Sequence, residues 1–256
     1  MPPQGEPILG GMTHFTYADS AIPIRDDLQA ANRRQWDRLA HPGSWWDGVD
    51  RVTIAREIRA AEDCAFCAER AQALSAASVN GVHDRDSELP EAVVEVVHKL
   101  ITDNARLSKA WFDAIVPSQI SDAAYAEIVG IVVNTFSVDE LQRGVGVAVE
   151  PLPVPVKGEP SQRRPSGAKA HGSWLPTVGA DDLDPEDADL YGGGPAANVI
   201  AAMSLAPDEV RGLNDLGAAY YLHPDVMGTF EQVRSLSRSQ VELVAARTSA
   251  LNECFY

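Results

Sequence analysis

The sequence predicts an all-α fold, and three observations support this prediction. Apolar residues recur at the spacing of one helix face, as at Ile54, Ile58 and Ala61. Ser121 and Ser237 each precede such a segment, where a serine side chain can cap the first turn of a helix. No segment worth assigning to a strand alternates apolar and polar residues. We therefore predict a helical bundle.

The chain is 256 residues long and is predicted to have four parts. Residues 1–25 are rich in Pro, Gly and Thr and are predicted to be irregular. Residues 26–148 are predicted as a first helical unit and residues 186–256 as a second. Between them, the prolines of residues 149–185 interrupt any continuous helix or central strand, which predicts a Pro-rich linker or an extended arm on the surface.

Local signals mark the helices in chain order. The first predicted helix, residues 26–39, is stopped by a His-Pro-Gly sequence, and the second covers residues 49–74. Pro90 opens the next helix at its first turn, where the missing N–H of proline has no cost. Further helices are predicted over residues 104–116, 121–133, 195–222 and 237–251. The dense β-branched residues near the end of segment 121–133 leave a strand as the alternative there, but its length and its cap favour a helix.

Composition and charge exclude several classes of protein. The chain has 21 Lys and Arg against 37 Asp and Glu, a net charge of −16, so no nucleic-acid partner is predicted. The most apolar short run, residues 128–133, is far too short to cross a membrane. The first residues lack the basic and apolar regions of a signal peptide. Three cysteines are too few for an extracellular disulfide framework, and we expect a cytoplasmic protein.

Two segments share a pattern that indicates an internal repeat. Residues 52–64 read VTIAREIRAAEDC, and residues 242–254 read ELVAARTSALNEC. Placing Cys64 on Cys254 also pairs an acidic residue immediately before each cysteine. The match predicts two helical units related by duplication, although two amphipathic helices of similar composition are the alternative.

The sequence Cys64-Ala-Phe-Cys67 is the main candidate for chemistry. On a helix this spacing puts both sulfur atoms on one face, where one thiolate can attack a substrate and the other can resolve the oxidised product. A pair of buried small residues is the alternative without function. A zinc site would need two more ligands, and His83 and His98 are available. Their spacing matches no familiar zinc module, so no metal ligand is predicted.

A family resemblance adds to this interpretation. The stretch from Asn198 to Tyr256, containing NVIAAMSLAPDEVRGL and LSRSQVELVAARTSALNECFY, resembles the carboxymuconolactone decarboxylase and alkylhydroperoxidase D-like superfamily. The Cys64 segment, residues 107–112 and ISDAAYAEIVGIVVNTFSVDELQRGVGV resemble a more diverged copy. The resemblance implies an all-helical, oligomeric protein whose C-x-x-C motif supplies a peroxidatic and a resolving cysteine.

The resemblance also implies a proton relay, which each half of the chain matches only in part. Glu242 matches the relay glutamate, and Cys254 matches the first cysteine, but the second cysteine of that copy falls one residue beyond Tyr256. In the first copy Cys64 and Cys67 match the pair, whereas the relay positions hold valine and alanine, at Val52 and Ala71.

We therefore expect this chain to be shorter than the protein from which it descends. Three explanations are open: a truncated gene, completion of the site by another subunit, or a selenocysteine codon read as a stop after Tyr256. The last explanation predicts an in-frame continuation with a histidine four residues beyond the selenocysteine.

The predicted function is that of a thiol-dependent peroxidase or disulfide oxidoreductase. Its candidate catalytic residues are Cys64, Cys67, Glu242 and Cys254. The predicted partners are a small-molecule peroxide, a dithiol reductant and further copies of the chain, with no nucleic acid, membrane, metal or organic cofactor. The alternatives are a decarboxylase of the same superfamily, which does not need the cysteines, and a non-catalytic oligomerisation or binding module.

Overall fold

The computed structural model describes residues 14–223, 226, 235–252 and 254. These residues form helices and connecting loops, and within them no β-strand occurs beyond one isolated bridge between Lys169 and Thr177. The predicted all-α class is confirmed. None of the described helices has the length and hydropathy needed to cross a lipid bilayer.

The helices are numbered here in chain order. Short 3-10 turns at residues 76–78, 104–106, 180–182 and 185–187 lie between them. The α-helices are α1 (Asp26–Ala40), α2 (Gly48–Ala61), α3 (Ala65–Gln72), α4 (Glu91–Thr102), α5 (Lys109–Ile115), α6 (Asp122–Gly144), α7 (Asn198–Ala201), α8 (Pro207–Tyr220) and α9 (Arg238–Leu251).

The helix predicted over residues 49–74 is divided in the structure, and this part of the prediction is wrong. α2 ends at Ala61, and Cys64 has the extended backbone of a helix N-cap, with φ −69° and ψ 115°. The first backbone N–H of α3, on Ala65, donates to Asp84 Oδ2 at 2.8 Å. Capping by a side chain distant in sequence therefore favours a new helix start over continuation of the apolar periodicity.

The core lies in the first part of the chain, where α2, α4 and α6 pack against one another and α1 packs on α2 and α6. Ser121 caps α6 by accepting from the backbone N–H of Ala124, as its sequence position predicts. The buried apolar side chains of this core include Ile54, Ile58, Val93, Val96, Val97, Ile128 and Ile131.

The segment predicted as a linker or surface arm, residues 149–185, is attached to the first helices by backbone hydrogen bonds. Val156 N donates to Ala40 O at 2.8 Å, and Gln162 N donates to Ser44 O at 2.8 Å. Trp36, which is fully buried, donates from its indole Nε1 to Pro151 O at 2.9 Å. These bonds make the segment an extended arm of the first unit.

The described residues divide into two compact units, one ending at Leu216 and the other beginning at Gly217. The first unit thus extends beyond the boundary at residue 186 that the sequence predicts. In the second unit Ser237 and Gln240 form a reciprocal capping box at the start of α9, which confirms that predicted helix start. Whether the predicted helical units, residues 26–148 and 186–256, are related by duplication stays a prediction.

Candidate metal centre

The two cysteines lie at the start of α3. Cys64 is the N-cap residue, and its Sγ accepts from the backbone N–H of Cys67 at 3.5 Å. Both thiols are free and buried, with 1% and 3% of each residue exposed. The two sulfur atoms therefore lie together because Cys64 caps the helix that contains Cys67, and not because both cysteines lie in the middle of one continuous helix.

Two histidines from different elements face these sulfur atoms. His98 lies on α4, in the helix layer that forms the core, and is fully buried. His83 comes from the long connection between α3 and α4, residues 73–90, in which His83 and Leu89 are the buried residues. The imidazole rings of His83 and His98 lie 4.3 Å apart between centroids.

The four atoms that can act as ligands lie close enough together to share one metal ion. Cys67 Sγ lies 3.3 Å from His83 Nδ1 and 3.4 Å from His98 Nδ1. Cys64 Sγ lies 3.8 Å from His83 Nδ1, and all four atoms lie within 4.8 Å of one another. Zinc binds sulfur at about 2.3 Å and nitrogen at about 2.0 Å, which in tetrahedral geometry separates a sulfur and a nitrogen ligand by roughly 3.5 Å.

Each histidine is held at its other ring nitrogen by a carboxylate. His83 Nε2 lies 2.8 Å from Glu95 Oε2, and His98 Nε2 lies 3.0 Å from Glu57 Oε2. Histidines that ligate metals commonly have this contact, because it fixes the tautomer and the ring orientation that leave the other nitrogen for the metal.

Further contacts hold the two carboxylates. Arg70 donates to both oxygens of Glu95, at 2.8 Å and 3.1 Å, and Trp111 Nε1 donates to Glu95 Oε1 at 2.7 Å. Glu57 Oε1 accepts from the backbone N–H of Asp86 at 2.9 Å. The site therefore draws on α2, α3, α4 and α5 and on the connection between α3 and α4.

These contacts shift the pKa values of the groups involved. Burial lowers the pKa of His83, but its hydrogen bonds with Cys67 and Glu95 outweigh burial and raise that pKa to about 10. Burial raises the pKa of Glu95, whereas the bonds from His83 and Arg70 lower it to about 2. Burial lowers the pKa of His98.

The thiol of Cys64 is shifted as well. Burial raises its pKa, but the backbone N–H of Cys67 and the imidazole of His83 act in the opposite direction and bring it below its usual range. A thiol with a lowered pKa is more readily present as the thiolate, which is the form that binds metals and attacks peroxides.

No family model, no curated protein and no solved structure matches this chain. The resemblance to the carboxymuconolactone decarboxylase superfamily therefore stays a prediction.

The structure brings two of the four predicted catalytic residues, Cys64 and Cys67, together. Glu242 lies on α9 in the second unit, where its carboxylate accepts from Tyr221 Oη and Arg238 Nε, each at 2.6 Å. The hydrogen bond from Tyr221 lowers the pKa of Glu242. Cys254 belongs to the same unit and is an exposed free thiol.

The residues that complete the site were not among the predicted catalytic ones. The two positions where the resemblance implies relay residues hold Val52, which is buried in the core, and Ala71, which is exposed. Neither side chain can carry a proton to or from the site. His83 and His98 occupy the place beside the thiols instead. One sequence signal could have indicated this site. Glu95 and His98 are three residues apart on α4, which puts a carboxylate and an imidazole on one helix face.

Proposed function

We propose that the first unit binds one zinc ion through Cys64, Cys67, His83 and His98. The observation on which this rests is the convergence of two sulfur and two nitrogen atoms within 4.8 Å. Two thiolates and two imidazoles in tetrahedral arrangement are a donor set that selects zinc among the common divalent metals. The carboxylates behind both histidines supply the second set of contacts that such sites need.

Four protein ligands leave no position for water or substrate, so the proposed metal is structural rather than catalytic. Its ligands are spread over thirty-five consecutive residues, from Cys64 to His98, and they include the connection between α3 and α4. In residues 73–90 the only regular element is a 3-10 turn, and His83 is one of two buried residues. Zinc bound to His83 would fix this connection and α3 to α4.

Metal content of the purified chain tests this proposal. After growth with added zinc, we expect about one zinc per chain by elemental analysis. We also expect cobalt to give the intense visible absorption of a tetrahedral thiolate complex. Cys67→Ser and His83→Asn remove one ligand each and should lose the metal.

Matched substitutions outside the site serve as controls. Cys254→Ser and His171→Asn alter an exposed cysteine and an exposed histidine, and both variants should retain zinc. A wild-type chain that binds neither zinc nor cobalt contradicts the proposal, whether or not the variants fold. Equal zinc content in wild type and Cys67→Ser contradicts it too.

Thiol-dependent redox activity is a second candidate, and one observation favours it. Cys67, His83 and Glu95 form a thiol–imidazole–carboxylate series with contacts of 3.3 Å and 2.8 Å, which is the kind of relay that a reactive cysteine needs. Burial of both sulfur atoms argues against rapid turnover, since a peroxide must reach the thiolate that attacks it.

Peroxide consumption with a dithiol reductant distinguishes the two candidates. A redox enzyme turns over repeatedly when it is free of metal, and Cys64→Ser abolishes the turnover. A structural zinc site shows no such turnover. The decarboxylase activity, the binding module and the predicted oligomer stay predictions, because the contacts described above bear on none of them.

A further inference from the structure

We propose that zinc and a Cys64–Cys67 disulfide are alternative states of this site, so that oxidation of the pair by a hydroperoxide releases the metal. This inference rests on the proposed zinc site and adds its regulation. It differs from an enzymatic peroxidase activity, since it requires one oxidation event and no turnover.

The ligand set is the first reason. Half of the ligands are the two cysteines of one C-x-x-C motif, and their sulfur atoms lie within 4.8 Å of each other. A disulfide needs its sulfur atoms about 2.05 Å apart, so the two side chains must rotate toward each other to form it. A disulfide no longer offers thiolates to the metal, and the two remaining imidazoles cannot hold zinc in four-coordinate geometry.

The position of the pair beneath the surface is the second reason. Cys67 is the one buried residue of α3, and none of residues 68–82 is buried. The thiols are thus covered by a thin layer, the eight-residue helix α3 and the start of the following connection. A small displacement of α3 admits a hydroperoxide, whereas the opposite side of the site is closed by α2 and α4.

The chemistry balances with a hydroperoxide as the oxidant. One thiolate attacks the peroxide, the O–O bond breaks, and a sulfenic acid forms while a proton turns the leaving oxygen into water or an alcohol. The second thiolate then attacks the sulfenic sulfur, the S–S bond forms, and a second proton carries the hydroxyl away as water. The two sulfur atoms lose two electrons, which reduce the peroxide, and zinc leaves as the dication.

Release of zinc also changes the surroundings of the site. The connection between α3 and α4 loses the bond from the metal to His83, although Glu95 still contacts this histidine. Oxidation should therefore loosen α3 and residues 73–90 while the core of α2, α4 and α6 stays intact. The site would act as an oxidant-sensitive attachment of α3 and residues 73–90 to the core.

Zinc release during oxidation tests the inference in the full-length chain. Zinc-loaded Cys254→Ser, which has Cys64 and Cys67 as its only cysteines, is treated with hydrogen peroxide. Free zinc is followed with a colorimetric chelator, and remaining thiols are alkylated and counted by mass spectrometry. We expect one zinc to be released for each disulfide formed, and a dithiol with added zinc to restore the original metal content.

Two results overturn the inference: zinc retained while the peroxide is in excess, or zinc released while both thiols can still be alkylated. Each of them presupposes a loaded site, so each leaves the proposed function standing. Failure to load zinc at all is seen before peroxide is added, and it refutes the proposed function instead.

Discussion

His98 and Glu57 contact each other at 3.0 Å, and neither side chain has any exposed surface. The contacts of the Glu57 carboxylate among the described residues are this imidazole and the backbone N–H of Asp86. A buried carboxylate is costly unless an opposite charge compensates it. The zinc ion that we propose on the other nitrogen of His98 would supply that charge through the ring, and it would account for an acidic side chain buried in the core.

Glu57→Gln tests this positioning role. Glutamine keeps an oxygen that can accept from His98 but removes the negative charge, so the imidazole becomes a weaker metal ligand. We expect zinc affinity to fall by about 10- to 100-fold, with one zinc still bound at saturation. Competition with a chelator of known affinity measures the change.

Glu62→Gln is the matched control, because Glu62 lies just beyond α2 and pairs with Arg143 at the surface. Its zinc affinity should equal that of wild type. If both substitutions leave zinc affinity unchanged, Glu57 has no role in positioning His98.

Metal removal is predicted to expose the connection between α3 and α4 to proteases. In residues 73–90 only His83 and Leu89 are buried, and hydrogen bonds such as those of Asp84 with Ala65 and of Asp86 with Glu57 attach the rest. Loss of the bond from zinc to buried His83 therefore weakens the attachment of this backbone. We expect trypsin to cleave after Arg85 much faster once zinc has been chelated. Mass spectrometry of the fragments over time measures the effect.

Addition of zinc in excess of the chelator should restore resistance at Arg85. Sites in α2 and α4 should stay protected in both states, because the core does not depend on the metal. Cleavage at equal rates with and without zinc would contradict a structural role for the ion.

A buried cluster of one arginine and two glutamates elsewhere in the first unit predicts a pH dependence of stability. Arg51 lies between two buried carboxylates, at 2.5 Å from Glu127 and 2.7 Å from Glu209. Burial raises the pKa of Glu127 to about 7 from 4.5, and the negative charge of Glu209 acts in the same direction against the attraction of Arg51. Between pH 4.5 and about pH 7, the folded protein therefore holds a proton on Glu127 that the unfolded chain releases.

Because the pKa is raised on folding, the stability linked to this proton is complete below pH 4.5 and is lost as the pH rises through 7. Glu127→Gln cannot ionise and lacks this dependence. Relative to that variant, wild type should lose about 3 kcal/mol of unfolding free energy between pH 4 and pH 8. Urea unfolding of both proteins at each pH measures the free energy of unfolding. Parallel pH profiles for the two proteins would contradict a raised pKa of Glu127 in the folded state.

Two truncations of apolar side chains test the described core. Ile128 on α6 is fully buried in the first unit, whereas Leu243 on α9 is 70% exposed. Ile128→Ala should lower the free energy of unfolding by about 2–5 kcal/mol, because it removes buried methyl groups and leaves a cavity. Leu243→Ala should change it by less than about 0.5 kcal/mol. Denaturant unfolding distinguishes the two, and equal effects would contradict this core.

The helical class could be predicted from local signals alone. Ser121 and Ser237 act as caps in the structure because a cap depends on only three or four neighbouring residues. The end of α2 could not be predicted in this way. The apolar spacing continues past Ala61, while the contact that starts α3 comes from Asp84, nineteen residues beyond Ala65.

The composition of the site was only partly predictable. The C-x-x-C motif identified Cys64 and Cys67, since its spacing is local. His83 lies in an irregular connection, where no periodicity indicates which way a side chain points. Its place beside the thiols depends on the path that residues 73–90 take from α3 to α4. The four residues therefore converge in the structure although the spacing of His83 and His98 in the sequence matches no familiar zinc module.

X-ray absorption at the zinc edge of the loaded protein is the sharpest test of the zinc site, because it counts the ligand atoms around the ion. We expect two sulfur neighbours at about 2.3 Å and two nitrogen neighbours at about 2.0 Å. A zinc ion surrounded only by oxygen and nitrogen, without the sulfur of Cys64 and Cys67, would contradict it.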